Sequence, residues 1–180
     1  MDTQTDERRL RFEALVSLVY EPLQRYARRR CDAHTADDVV ADVLLVLWRR
    51  LDDVPSDAVL PWCYRVGANC LANARRGDLR RSRLLDRVAT THEPERSEPA
   101  ELPDPALHAA LATLPDADQE VLRLWAWEDL TPPEIAQALD CTANAVSIRL
   151  HRAKRRLGAA LGKTPGVDGH NHDDDRTEVT

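Results

Sequence analysis

The apolar residues of this chain recur with the period of an α-helix, and no stretch alternates apolar and polar residues long enough to indicate a strand. Residues 36–51 are predicted to form one helix, which Thr35 caps while Asp38 serves as the acid of a capping box. The apolar face of this helix holds Val40, Val43, Leu44, Leu47 and Leu51. The sequence therefore predicts an all-α protein.

Further helices are predicted on both sides of a polar, proline-containing stretch. Residues 61–76 begin with Pro61, which suits a first helical turn. After the polar stretch, Pro115 separates two more helices, and the first of these carries Leu107, Ala110, Leu111 and Leu114. We expect three tryptophans to lie in the core: Trp48, Trp125 and Trp127.

These helices group into two blocks, residues 6–85 and 104–161, each large enough for a small helical core. Residues 86–103 are acidic, contain prolines and lack apolar periodicity, so they are predicted to be a flexible linker. Residues 162–180 include a run of three Asp and are predicted to be a disordered tail. The expected architecture is two small all-α domains joined by an acidic linker.

Residues 131–157, TPPEIAQALDCTANAVSIRLHRAKRRL, carry the most specific local pattern in the chain. Thr131 is a good N-cap, and Glu134 completes a capping box at the start of a short helix. Asp140 and Cys141 form a brief turn, after which Thr142 can cap a longer basic helix. This order of elements predicts a helix-turn-helix motif.

The second helix of such a motif fits the major groove of DNA, where its first residues meet base edges and basic groups hold phosphates. The alternative is an amphipathic helix whose basic face is merely solvated. The candidate DNA-binding residues are Thr142, Ala143, Asn144, Ser147, Ile148, Arg149, His151, Arg152 and Arg155.

The average charge argues against a protein that coats nucleic acid through bulk positive charge, because 31 Asp and Glu outnumber 25 Lys and Arg for a net charge of −6. The charge is segmented, however. Residues 31–60 have a net charge of −5, residues 61–85 of +5 and residues 86–104 of −4, whereas residues 141–163 contain six basic residues and no acid.

Several classes of protein are excluded. No apolar run approaches the roughly 20 residues that span a bilayer, and the amino-terminal sequence lacks the apolar segment of a signal peptide, so we expect a cytoplasmic protein without direct membrane insertion. No nucleophile motif or phosphate-binding glycine loop indicates an enzyme. We expect no cofactor. We also expect no metal site, because the four cysteines lack the spacing of ligand sets: Cys31, Cys63, Cys70 and Cys141.

The helix at 61–76 combines aromatic, amide and arginine side chains, a mixture that suits single-stranded or opening DNA. Its candidates are Trp62, Tyr64, Arg65, Asn69, Asn73, Arg75 and Arg76. For Trp62, a place in the core is an equally good interpretation. The acidic residues Asp37, Asp38 and Asp42 would repel DNA, and from the pattern alone a solvated face is favoured over a docking surface for a basic protein.

Taken together, these segments resemble the extracytoplasmic-function class of the sigma-70 family of bacterial RNA polymerase sigma factors. ADDVVADVLLVLWRR resembles region 2.2 of that family, and PWCYRVGANCLANARR resembles regions 2.3 and 2.4. The stretch from ALATLPDADQEVL to the RLHRAKRRL ending is similar to region 4 throughout. The resemblance covers about residues 8–85 and 104–158.

The resemblance implies partners and residue roles. It implies that Asp37, Asp38 and Asp42 dock on core RNA polymerase, which reverses the preference for a solvated face. It implies that the helix at 61–76 opens the minus-ten element, with Asn69 and Trp62 at characteristic positions, and that the helix from Thr142 reads the minus-thirty-five element of promoter DNA. An anti-sigma factor is an expected further partner.

This chain departs from the family pattern at Ala68, Asn73, Ser147 and Asp129, the last standing where Gly is frequent, so no promoter sequence can be transferred. One alternative is a helix-turn-helix regulator whose first block is a sensor or dimerisation domain. Another is a helical adaptor that binds proteins rather than DNA.

Overall fold

A computed structural model describes residues 3–85 and 104–162 of the protein. The predicted linker and nearly all of the predicted tail lie outside the described residues. The described part contains a 3₁₀ turn and seven α-helices and no strand, which confirms the all-α prediction. The elements are α1 (Thr3–Arg28), α2 (Ala33–Arg49), the 3₁₀ turn (Leu51–Asp53), α3 (Val59–Leu85), α4 (Pro105–Ala112), α5 (Asp116–Ala126), α6 (Pro132–Leu139) and α7 (Ala143–Leu161).

Helices α1, α2 and α3 pack against one another and form what we call the first helical unit. The rings of Tyr26 and Tyr64 stack between α1 and α3, with centroids 4.8 Å apart and an interplanar angle of 29°. The centre of the unit is filled by fully buried side chains, among them Val19, Leu23, Tyr26, Val43, Leu47 and Cys63. Because α2 buries one face here, its opposite face points to solvent.

The first helical unit corrects two predicted helix starts. Helix α2 begins at Ala33, and its N-cap is Asp32, whose carboxylate accepts the Thr35 N–H at 3.0 Å. The prediction that Thr35 caps this helix with Asp38 was therefore wrong. Asp32 lies three residues before Thr35, accepts its N–H and is at least as good a capping residue. Helix α3 begins at Val59, so Pro61 lies within its first turn, where no N–H partner is required.

Gly67 lies where α3 approaches α1 and α2. A Cβ atom at this position would lie 3.1 Å from Cε1 of Tyr26 and 3.8 Å from Cγ2 of Val43. Tyr26 has little room to move, because it stacks on Tyr64 and its ring centroid lies 3.7 Å from the Arg30 guanidinium carbon. The absence of a side chain at residue 67 therefore sets the spacing of these helices.

We expect Gly67→Val to destabilise the protein by about 1–3 kcal/mol, because the added atoms overpack a region that cannot expand freely. Gly77→Ala is the matched control on the same helix, since no atom of the residues that the structure describes lies within 4 Å of its added Cβ. That control should raise the free energy of unfolding by roughly 0.5–1 kcal/mol through helix propensity. Urea unfolding followed by circular dichroism measures both, and equal effects of the two substitutions would contradict the packing argument.

Helices α4–α7 form the second helical unit, in which α7 packs against each of the other three. Its buried side chains include Leu111, Val121, Leu124, Ile135, Val146 and Ala153. The exposed remainder of α7 is therefore the face turned away from α4, α5 and α6.

The prediction that three tryptophans lie in the core was wrong for two of them. Trp48 is 37% and Trp125 is 42% exposed, whereas Trp127 is partly buried. Trp48 meets Phe12 edge-on, and the Lys154 ammonium nitrogen lies 3.3 Å from the Trp125 ring centroid. The core faces of their helices are already filled by smaller apolar residues.

Candidate nucleic-acid interface

The helix-turn-helix motif forms as predicted, from α6, a turn and α7. The Glu134 carboxylate accepts hydrogen bonds from the backbone N–H of Thr131 at 2.8 Å and from its hydroxyl at 2.6 Å. Asp140 ends α6 in the left-handed conformation, with φ 53°, and the Thr142 hydroxyl accepts the Ala145 N–H at 3.2 Å at the start of α7. These caps fix the direction in which α7 leaves the turn.

The hydrogen bonds from Thr131 lower the pKa of Glu134. Its charge therefore stabilises the folded protein above the ordinary glutamate pKa, and this stabilisation is lost as the pH falls through the lowered folded value. We expect Glu134→Ala to cost up to about 1 kcal/mol at pH 7 and distinctly less at pH 3. Thermal unfolding at both pH values measures the difference, and a cost that is independent of pH would contradict a role for the charge.

The outer face of α7 presents most of the predicted minus-thirty-five residues. Val146, Leu150 and Ala153 are buried against the unit, which leaves the opposite side free. At helical spacing that side carries the exposed residues Asn144, Ile148, His151 and Arg155, flanked by Ser147 and Arg152. Ile148 is 45% exposed, and an apolar side chain among polar ones suits contact with a thymine methyl group.

Three basic residues of α7 point elsewhere. Arg149 lines a cavity of about 570 Å³ between the two helical units. Lys154 lies over Trp125, and Arg156 pairs with the buried carboxylate of Asp118. The positive charge of α7 is thus divided between an outer face and internal contacts, a division that the linear sequence did not show.

The candidate minus-ten residues of α3 likewise fall into two groups, one exposed to solvent and one buried. Asn69, Asn73 and Arg76 are exposed, and Arg76 donates to the Asn73 side-chain oxygen at 2.5 Å. Trp62 is 6% and Tyr64 is 3% exposed, so neither ring is available to a base in this arrangement. Tyr64 packs inside the first helical unit, whereas Trp62 lines a cavity that the second helical unit closes.

The acidic residues of α2 lie on its solvent side. Asp37, Asp38 and Asp42 are all exposed, and Asp37 accepts a hydrogen bond from Gln24 of α1 at 3.2 Å. Leu45 is 46% exposed and shares the outer face with Asp38 and Asp42 at helical spacing. Leu45 is not among the residues predicted from the sequence to bind a partner, although its position opposite the buried residues of α2 was a usable signal.

Residues 105–157 match the family described as sigma-70, region 4. The RNA polymerase sigma factor NccH of Alcaligenes xylosoxydans xylosoxydans is 32% identical over 134 residues, which cover 69% of this chain and 72% of that protein. This chain belongs to the RNA polymerase sigma factors. The sigma factor CnrH of Cupriavidus metallidurans is 30% identical over 141 residues, again covering 69% of this chain and 72% of the relative.

Solved structures agree with this assignment. CnrH in complex with the cytosolic domain of CnrY is 26% identical and superposes with a TM-score of 0.58 over 84% of this chain and 87% of that one. The sigma factor RpoE of Bartonella quintana, solved with the anti-sigma factor NepR, shares the fold at 21% identity, with a TM-score of 0.63 over 86% of this chain and 98% of that one. The predicted membership of the extracytoplasmic-function class of the sigma-70 family is confirmed.

This sigma factor therefore acts in transcription initiation, binding core RNA polymerase and directing it to promoters. Among residues 3–85 and 104–162, no helix is long and apolar enough to cross a membrane. Within the same ranges, no group of three or more His, Cys, Asp or Glu side chains is placed to hold a metal ion. Burial raises the pKa of the Cys63 thiol to about 12, so this thiol stays protonated and unreactive at neutral pH.

Proposed function

We propose that this sigma factor divides its contacts between its two helical units. The first helical unit docks on core RNA polymerase and opens the minus-ten element, and the second reads the minus-thirty-five element. The observation that carries the proposal is the separation of two exposed faces of opposite character. The outer face of α2 is acidic with an apolar centre, and the outer face of α7 is basic and polar.

The docking surface comprises Asp38, Asp42 and Leu45 on α2, with Asp37 at its edge. Exposed carboxylates select a basic partner and steer its approach, while Leu45 supplies apolar area at the centre. Asp37 is already partly engaged, because it lies 3.7 Å from Arg28 in addition to its hydrogen bond with Gln24. Asp38 also lies 3.4 Å from His34 of its own helix. We assign the larger part of the docking energy to Asp38 and Asp42 because they share the outer face with Leu45.

The minus-ten surface comprises the exposed amides Asn69 and Asn73 with Arg75 and Arg76 on α3. Amide groups can hydrogen-bond to the edges of unpaired bases, and the arginines hold the phosphates between them. Arg65, whose side chain is 41% exposed, extends this surface, whereas Trp62 would join it only if the second helical unit moved away. Tyr64 is packed on Tyr26 and supports α3 rather than contacting DNA.

The minus-thirty-five surface is the outer face of α7. Asn144 and Ile148 lie near its start, where the recognition helix of such a motif meets base edges. Arg152 and Arg155 lie further along and contact phosphates, which fix the register of the helix in the groove.

We also propose a cytoplasmic, non-catalytic protein that an anti-sigma factor controls. Two neighbours of known structure support this, because they were solved with the cytosolic domain of CnrY and with the anti-sigma factor NepR. For this chain, co-purification with a protein that blocks its binding to core RNA polymerase would identify such a partner.

The proposed function is tested by adding the purified chain to bacterial core RNA polymerase and sequencing the transcripts made from a genomic template library. We expect a stable complex and transcripts that start downstream of one shared pair of promoter elements. A helix-turn-helix regulator without sigma activity would instead bind duplex DNA alone and form no complex with the core enzyme.

A further inference from the structure

The cavity of about 570 Å³ between the two helical units, which we call the arginine cavity, holds more positive than negative charge. The five arginines and two carboxylates that line it are Arg29, Arg30, Arg75, Arg123, Arg149, Asp116 and Glu120. Glu120 accepts from Arg30 at 2.9 Å, and Glu128 accepts from Arg29 and Arg30, each at 3.1 Å. Within the part of the chain that the structure describes, these three carboxylates leave two positive charges in excess.

Three of these arginines form no ion pair with a carboxylate of the described residues: Arg75, Arg123 and Arg149. Arg75 and Arg149 are exposed to solvent, whereas Arg123 is partly buried. Arg123 donates to the side-chain oxygen of Gln119 at 2.8 Å, which is a neutral partner. Its Nε is buried and has no hydrogen-bond partner among residues 3–85 and 104–162. The guanidinium of Arg123 is thus neither fully hydrated nor fully hydrogen-bonded.

The surroundings of Arg123 disfavour its charge. Burial lowers the pKa of Arg123, and the charges of Arg30 and Arg75 add to this lowering, although nearby carboxylates oppose it. A guanidinium remains protonated at neutral pH, so the folded protein bears the repulsion. Partly buried cations without a counter-ion are unfavourable, and groups perturbed in this way are concentrated where proteins bind ligands. An anion in the arginine cavity would relieve this repulsion.

The chemistry and size of the arginine cavity indicate an organic phosphate. The planar guanidinium group matches the oxygens of a phosphate and binds them through two parallel hydrogen bonds. The volume of about 570 Å³ lies in the range of small-molecule sites, roughly 300–1,000 Å³, and leaves room beyond a phosphate group. Ala68, Leu71 and Leu139 supply an apolar part of the lining on which an organic group can pack. Duplex DNA is too wide to enter.

We propose that the arginine cavity binds a small organic diphosphate, of the size of a nucleoside diphosphate, through Arg75, Arg123 and Arg149. The phosphates supply the missing negative charge, and the organic group packs on the apolar part of the lining. The site belongs to the free chain, whichever surfaces of the protein contact promoter DNA.

Isothermal titration calorimetry of the purified full chain tests this site, with ADP, GDP, pyrophosphate and adenosine as probes at constant ionic strength. We expect ADP or GDP to bind at least about tenfold more tightly than pyrophosphate, because the nucleoside buries apolar area. Adenosine should not bind, because it lacks the phosphates. The bound nucleotide should also raise the melting temperature of the chain, since a ligand of the folded state stabilises that state.

A double variant locates the site. Arg75→Gln with Arg149→Gln should weaken nucleotide binding at least about tenfold and abolish the rise in melting temperature, with unchanged helix content by circular dichroism. Without nucleotide this variant should melt no lower than the unsubstituted chain, because neither arginine is paired with a carboxylate of the described residues. A purely structural role for the two arginines would instead lower the melting temperature with or without nucleotide.

The matched control removes the same charge from the same two helices outside the arginine cavity. Arg80→Gln with Lys154→Gln does so, because Arg80 is exposed on α3 and Lys154 lies over Trp125 on α7. This variant should bind nucleotide as the unsubstituted chain does. Equal losses in the two double variants would overturn the site in favour of attraction by net charge.

Three results of the titration would also overturn the proposal. Failure of both ADP and GDP to bind would leave Arg75 and Arg149 to promoter DNA. Adenosine binding as tightly as ADP would exclude recognition of the phosphates, and pyrophosphate binding as tightly as both nucleotides would exclude an organic ligand. Neither polymerase nor promoter is present in the titration, so each of these failures is distinguishable from a failure of sigma activity.

Discussion

Reversing two charges on the outer face of α2, Asp38→Arg with Asp42→Arg, should weaken binding to core RNA polymerase by at least about 100-fold. Both carboxylates are exposed and lie opposite the buried face of the helix, so the fold should persist. Like charges placed across a complementary interface cost several kcal/mol, and a factor of ten in affinity corresponds to about 1.4 kcal/mol. Fluorescence anisotropy of the labelled chain titrated with core enzyme measures the change.

The control for this prediction must change the net charge by the same amount elsewhere. Glu13→Arg with Glu21→Arg does so on α1, where both side chains are at least 60% exposed and pair with nearby residues of their own helix. Affinity for core polymerase should fall less than about threefold in this variant at moderate salt. If both double variants lost affinity equally, bulk charge rather than a docking surface would explain the effect.

Leu45 gives the same surface an independent test. Leu45→Ser removes exposed apolar area without altering charge, so it should weaken docking while leaving the salt dependence of the affinity unchanged. Because Leu45 is 46% exposed, its loss should hardly change the free energy of unfolding. A large loss of stability with full docking affinity would place Leu45 in the core rather than at an interface.

Helix starts that depend on a few neighbouring capping residues could be predicted from the sequence. Thr131 with Glu134 and Thr142 begin the two helices of the helix-turn-helix motif as expected, because a cap acts over three or four residues. The same rule failed at α2, where Asp32 and Thr35 both suit an N-cap and only the packing of the helix decides between them. Asp129, at a frequent glycine position, has φ 54°, a conformation that aspartate tolerates better than most residues.

The contacts between distant segments could not be predicted. Arg30 and Glu120 are 90 residues apart, and their hydrogen bonds exist only because two helical units meet. Periodicity likewise placed Trp62 and Tyr64 on one helix but could not show that Tyr64 packs on Tyr26 while Trp62 faces the second unit. Side-chain environment at such positions is set by tertiary packing, which the spacing of residues along one helix does not contain.

Removing two arginines from the outer face of α7, Arg152→Ala with Arg155→Ala, should reduce promoter-directed transcription by at least about tenfold at physiological salt. Both side chains are exposed and have room to approach phosphates, and each lost phosphate contact lowers the salt dependence of binding by about one unit of slope. The logarithm of promoter affinity, measured for the complex with core polymerase at several salt concentrations, should therefore depend less steeply on salt by about two units.

Lys154→Gln is the matched control for the arginine variant, because Lys154 is basic and lies on the same helix but stacks on Trp125 away from the outer face. Lys154→Gln should leave the salt dependence of promoter affinity unchanged and keep nearly full transcription. Both variants should bind core polymerase normally through α2. The contrast separates a geometric role from a general requirement for positive charge on α7. If Lys154→Gln lowered the slope as much as the arginine substitutions, DNA would be held by the charge of the whole helix, and the outer face would not be the surface that reads the promoter.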